Sequence, residues 1–246
     1  ENHRQYVITA YITGFGLAQL FFGPISDRFG RRTPLLVGLF IYVGAAAVCV
    51  FVPSFTGLLA LRFIQGLGAA STRVIAMSVV RDVYGGRAMA EVMSLVFMVF
   101  MIVPVIAPGV GQVIMLFSEW HMIFAFMAVM SLAITLWVLF RLPETLHDEF
   151  RRPFTARVIA DGFRIVLTNR PAVCYTIALT AIFGALFGFI NSSQQIYVGL
   201  YGVGAMFPVY FAAVAGLMAV SSFLNSRLVG RFGMRRLAHG ALLGFT

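Results

Sequence analysis

The chain contains no lysine: its 18 basic side chains are all arginine, they face only nine acids, and charged residues make up 11% of the 246 positions. So little charge cannot solvate the surface of a soluble protein of this size, and a hydrophobic share of 60% with a mean hydropathy of +0.92 leads to the same conclusion. Cysteine is scarce too. Cys49 and Cys174 each fall inside an apolar run, which excludes a disulfide framework and predicts two small buried hydrophobes. Catalytic signatures are missing: there is no HExxH, no GxSxG and no set of His and carboxylates within the apolar runs. Neither an enzyme, a metal nor a cofactor is therefore expected. The opening residues, ENHRQYV, lack the basic start, short apolar stretch and cleavage site of a signal peptide.

What the chain has is long apolar runs. They cover Tyr6–Ile25, Pro34–Val52, Phe55–Val80, Ala88–Phe117, Met122–Phe140, Ala172–Ile190 and Met206–Leu224, with another opening at Leu237. Each approaches or exceeds the roughly 20 residues that a helix needs to cross a hydrocarbon core of about 30 Å. The predicted fold is therefore an all-α membrane protein. If each span reverses direction, Arg28, Arg31 and Arg32, then Arg81 and Arg87, then the arginines of 141–170, then those of 227–236 all lie on one side. Fifteen of the 18 do so, against Arg4 alone on the other, with Arg62 and Arg73 inside a span. That bias makes the rich side cytoplasmic. The basic charge is an orientation signal and a contact for anionic membrane lipids; with no base-reading motif beside it, nucleic acid is not an expected partner.

Two short turns reveal an internal repeat. PISDRFGRRT at Pro24–Thr33 is echoed by RLVGRFGMRR at Arg227–Arg236, at an offset of 203 residues, and each lies between two apolar runs. A repeat of about 200 residues built from six spans is the plan of transporters made of two similar halves around a central site. On that plan residues 1–140 form an N-terminal half (helices 2–6), 141–170 a cytoplasmic linker, and 171–246 the start of a C-terminal half (helices 7–8 and the start of 9). The chain then begins after a first helix and stops within a later one. The linker holds an amphipathic stretch, with Val158, Ile159, Phe163 and Val166 opposite Arg157, Asp161 and Arg164, suited to lie on the membrane surface.

The turn GPISDRFGRR at Gly23–Arg32 and the run LRFIQGLGAA at Leu61–Ala70 carry a family resemblance, supported by VVRDVYGG at Val79–Gly86, LPETL at Leu142–Leu146 and the Gly188–Gln195 stretch. The chain resembles the major facilitator superfamily and, within it, bacterial drug:proton antiporters of the bicyclomycin and chloramphenicol resistance type. The resemblance covers essentially the whole chain. It implies two six-helix halves in the bacterial inner membrane that exchange protons for small amphipathic drugs by alternating access, acting as a monomer. The helix-five antiporter signature departs from the family pattern: Pro108 and Gly111 match, while Ala107 and Gln112 stand where glycines are usual. An uptake symporter or facilitator for a small metabolite therefore stays open on the same fold.

Residue by residue, Asp27 and Arg31 lie one helical turn apart and can face the helix end that carries Asp82. A carboxylate, a guanidinium and a second carboxylate at a low-dielectric boundary respond to helix movement. By resemblance this set is the conformational latch of the outward-facing state, with Gly23 and Gly30 allowing close approach and tight turning; the alternative is a group of solvated charges that only fixes topology. Arg62 stands about seven residues inside its span, where a cation is costly and marks function by default. The resemblance implies that it tunes proton coupling, whereas a long side chain can also snorkel to the outer head groups. Arg73, eleven residues on, returns to nearly the same face or reaches the cytoplasmic surface. No carboxylate falls mid-span, so the resemblance places the proton-carrying acid in the first helix, before this chain begins. Thr9, Thr13, Gln65, Met101, Asn191, Gln194 and Gln195 are candidates for the substrate cavity, and Gly14, Gly66 and Gly68 for close helix packing.

Overall fold

The computed structural model describes residues 3–151, 153–232 and 240. Among them there is no strand, and helices stand where the apolar runs up to Leu224 placed them, while the run that opens at Leu237 lies outside the described residues. In chain order the α-helices are α1 (His3–Phe29), α2 (Arg32–Cys49), α3 (Phe55–Val83), α4 (Gly86–Phe117), α5 (His121–Arg141), α6 (Ala156–Thr168), α7 (Arg170–Gln194) and α8 (Phe207–Phe232). The ends follow local chemistry. Ser54 and Thr155 accept the N–H groups of Gly57 and Val158 and so cap α3 and α6, and Asn169 accepts the N–H of Ala172 at the start of α7. Gly30, at φ +90, ends α1 in a left-handed turn that few other residues adopt, and α2 begins two residues later.

Five helices among the described residues are long and apolar enough to cross a membrane: Gln5–Phe29, Arg32–Cys49, Phe55–Val83, His121–Arg141 and Arg170–Leu200. The last continues from α7 through a π-helical turn at Gln195–Leu200. α4 and α8, of 32 and 26 residues, have the length as well. Large apolar side chains stand outward along these helices, with Trp137 72% and Phe140 80% exposed. An aqueous surface does not carry such a belt, and lipid contact accounts for it.

The chain forms two compact units, Glu1–Met93 with Val113–Asn191, and Ser94–Gln112 with Ser192–Thr246, so α4 contributes to both. In the first, α3 is the central helix, packed against α1 and α2, and α5 packs on α2. Two small cores hold the ends of this packing. Leu35, Leu39 and Ile75 gather Phe22, Val79, Val138 and Leu142 near the arginine-rich ends, and Cys49, Leu58 and Phe124 gather Val7, Leu61 and Met127 at the opposite ends. Between them the helices cross at small residues. A Cβ on Gly14 would strike the Phe63 carbonyl and one on Gly66 the Tyr11 carbonyl, so α1 and α3 approach backbone to backbone. Gly38, Gly68 and Ser71 do the same for α2 and α3. In the second unit, Tyr197 packs its ring against Tyr201, Phe207 and Tyr210, within 6.4 Å of each.

Cys49 is buried, but Cys174 is exposed among the outward apolar residues of α7. An apolar run does not reveal which of its faces meets protein, and this one faces away.

Candidate functional site

At the arginine-rich ends of α1, α2 and α3 the structure brings Asp27, Arg31 and Asp82 together. Arg31 is 3% exposed. Its Nη1 donates to Asp27 Oδ1 at 2.6 Å and to Ser26 Oγ at 2.7 Å, and its Nε donates to Asp82 Oδ2 at 2.8 Å. Ser26, fully buried, passes its own proton to the Gly23 carbonyl at 2.9 Å. The first two partners come from the last turn of α1 and Asp82 from the last turn of α3, 51 residues away. Burial works against the charge on Arg31, yet the bonds and charges of Asp82 and Asp27 outweigh it and hold the guanidinium protonated above its usual range.

Glu144, just past the end of α5, joins the same turn from another side. Its Oε1 accepts the backbone N–H of Arg31 at 2.7 Å, of Thr145 at 3.0 Å and of Leu146 at 3.1 Å, and its Oε2 accepts that of Arg32 at 3.2 Å. Gly30 makes room, because a Cβ there would run into the Glu144 carboxylate. Burial alone would raise the Glu144 carboxyl, but the four N–H groups outweigh it and hold it below its ordinary value of 4.5. Gly23 plays a different part from Gly30: a Cβ at Gly23 would meet nothing within 4 Å, and what the position supplies is its carbonyl.

Asp27 keeps a third of its side chain open. It faces a groove of about 270 Å³ between α1 and α6, lined by Leu20, Pro24, Ile159, Phe163 and Val166 among others. The apolar face of α6 is thus turned toward α1 across this groove, while Ile165 and Leu167 remain outward, 67% and 70% exposed.

Arg62 occupies the interior of the same unit. Its guanidinium points along α3 to Gln65, with Nη1 donating to Oε1 at 2.8 Å, rather than out toward the helix end. The Tyr11 ring of α1 and the Phe124 ring of α5 lie against it, at 5.3 and 5.2 Å. Such ring faces attract a cation, more strongly when it is desolvated. No acidic side chain forms an ion pair with Arg62 among the described residues, and its Nε is buried without a hydrogen-bond partner. Gln65 is fully buried, and its Nε2 has no hydrogen-bond partner among the described residues. Arg73, farther along α3, is exposed.

Thr13 is exposed on α1 with its hydroxyl given to the Thr9 carbonyl at 2.8 Å. Gln194 is exposed at the end of α7 in the second unit. The side chains of Met101 and Asn191 lie outside the described ones, as do Gly233–Arg236 of the second turn motif. Among the described residues no group of three or more His, Cys, Asp or Glu is placed to hold a metal.

Sequence reasoning missed Glu144 as part of this site and the rings that hold Arg62. The LPETL stretch was the available signal for the first. For Tyr11 and Phe124 there was none, because aromatic residues are common throughout these spans.

Long apolar helices that cross at glycines, with an ion network at one set of ends and a guanidinium within the bundle, are those of an α-helical membrane protein. The chain belongs to the Major Facilitator Superfamily, whose family profile matches residues 5–246. Similar proteins include a bicyclomycin resistance protein homolog from Haemophilus influenzae, 34% identical over 97% of this chain and 60% of its own length. The multidrug resistance protein MdtL of Shigella dysenteriae is 32% identical over 96% of this chain and 60% of its own length. The uncharacterized MFS-type transporter YdgK of Bacillus subtilis is 32% identical over 93% of this chain and 57% of its own length. The chain thus spans about 60% of the length of the curated relatives it matches. It is a multi-pass inner-membrane protein.

Proposed function

We propose that the protein is a proton-coupled multidrug exporter that works by alternating access, and that it transports its substrates without chemically altering them. The observation that carries this reading is the Asp27–Arg31–Asp82 network: a guanidinium shared by two carboxylates on two different helices, 2.6 and 2.8 Å away and almost closed to solvent. A network that is satisfied in only one arrangement of helix ends adds stability to that arrangement and loses it when the helices move, as a two-state transporter requires. Gly23 and Gly30 complete this latch, the first through its carbonyl and the second through its left-handed turn. The names of the bicyclomycin and MdtL relatives favour small amphipathic drugs as substrates.

Arg62 is the residue we assign to proton coupling. A cation without a carboxylate partner inside a bundle raises the cost of any nearby cationic substrate and lowers the cost of a nearby ionised acid, so it biases which of the two occupies the cavity. Gln65, Thr13, Met101, Asn191 and Gln194 are proposed to contribute to the substrate wall. We read residues 1–140 and 171–246 as parts of two helical halves joined by 141–170, with α6 touching membrane lipid through Ile165 and Leu167, and the working protein as a monomer.

Reconstitution tests the reading. Ethidium added to proteoliposomes holding the full-length protein should drive protons in the opposite direction. Ethidium and protons moving in the same direction would replace export by symport, and ethidium movement with no proton flux would leave a facilitator.

A further inference from the structure

The turn that carries Arg31 is held by an exchange of caps between two helices. The first N–H groups of α2 and the last carbonyls of α5 have no partners within their own helices. Glu144, beyond the end of α5, takes the N–H groups of Arg31 and Arg32. In return Arg32, the first residue of α2, donates from Nη2 to the Leu139 carbonyl in the last turn of α5 at 2.6 Å. Each charge also has the sign that the other helix end favours, a carboxylate at an N-terminus and a guanidinium at a C-terminus. Glu144 reaches across 113 residues of sequence to do this, and Gly30 is the residue whose missing side chain lets it in.

We infer that Glu144 and Arg32 are positioning residues of the latch: their reciprocal caps fix the start of α2 to the exit of α5 and thereby set where the Arg31 guanidinium can reach. Glu144 binds backbone N–H groups, not the Asp27 or Asp82 charges, so it acts through the place it gives Arg31. That place needs fixing because Arg31 follows Gly30, where the backbone is freest, and its side chain must meet three oxygens on two helices at once. Residues 142–146 are also where the chain leaves α5 for the linker, so displacement of the linker is felt at Arg31. The inference rests on the latch reading.

A cycle of variants in the full-length protein tests it: Glu144→Ala, Asp27→Asn and the two combined, each read by ethidium efflux from cells and by backbone amide exchange. Removing a carboxylate acceptor should speed exchange at the Arg31 and Arg32 amides about tenfold or more, with the middle of α3 unchanged. Efflux should fall in each single variant, and the double variant should be no worse than the worse single one, as for residues acting through one group. Unchanged exchange at residues 31 and 32, or losses that multiply in the double variant, would overturn the inference. Asp27→Asn impaired with Glu144→Ala transporting normally would overturn this inference alone, whereas normal efflux by Asp27→Asn would remove the latch reading and this one with it. If Glu144→Ala does not reach the membrane, Glu144→Gln replaces it. It keeps one acceptor oxygen and loses the bond to the Arg32 N–H, so faster exchange there supports the inference and unchanged exchange overturns it.

Discussion

Arg31 and Arg62 are both withdrawn from water in the same helical unit, and the protein holds them in opposite ways. Arg31 has two carboxylates and a hydroxyl at 2.6 to 2.8 Å, short directional bonds that fail together when a helix end shifts. Arg62 has one amide oxygen at 2.8 Å and two ring faces more than 5 Å from its central carbon. Charge-assisted hydrogen bonds contribute about 1.5–3 kcal/mol each, against about 0.5–2 kcal/mol for a cation over a ring. The first arrangement suits a lock that must be fully made or fully broken. The second would suit a cation that has to respond to what enters beside it.

Both depend on one crossing. Tyr11 and Asp27 are on α1 while Arg62 and Asp82 are on α3, and the two helices touch at Gly14 and Gly66. Gly66→Leu should therefore remove both sites at once and have the largest effect, since overpacking costs about 1–3 kcal/mol and more where backbone is struck. Loss of a monodisperse peak in detergent is the expected result. Gly44→Leu is the control, because a Cβ at Gly44 meets nothing within 4 Å, and it should behave as wild type.

Arg62→Lys separates the two arginines. It keeps the positive charge but loses the flat group that spans two rings and an amide. Folding should be normal and proton-coupled exchange lowered severalfold, with the defect growing toward alkaline pH, because a buried lysine loses its proton more readily than arginine. A wild-type pH profile would show that the cage around Arg62 is packing without a part in transport.

The smallest effect concerns acid. Glu144 has its carboxyl held below 4.5 in the folded protein, so the stability it adds is present above that value and lost as the pH falls through the native one. The difference in Tm between wild type and Glu144→Gln should stay constant from about pH 8 to pH 5 and close in more acidic solution. Its size should be modest, because the carboxylate is partly open to water. A gap that widens below pH 4.5 would mean that the four N–H groups do not govern this carboxyl.

The helices were legible because hydropathy and length set them almost alone in a membrane protein. Gly30 announced a tight turn because glycine alone adopts a left-handed backbone at no steric cost. The pairing of Asp27 with Arg31 was legible too, being one turn along a helix, and Gly14 and Gly66 announced close contact without saying with what. What could not be read were partners chosen by the fold. Glu144 looked like one more loop acid until α5 delivered it to the Arg31 amide. Phe124 was one of 25 phenylalanines, and nothing in its neighbours says that it lies over a guanidinium. Cys174 failed as a buried residue because a run apolar on every side conceals which side meets lipid.

On the latch reading, the Asp27–Arg31–Asp82 network governs the change of conformation and does not bind substrate. Drug efflux by Asp27→Asn, in the full-length protein at matched expression and with insertion verified, tests it most directly. The substitution removes a charge while keeping the shape of the side chain. Efflux should fall at least tenfold, with ethidium binding to the purified protein retained. Efflux equal to wild type at equal expression would contradict it.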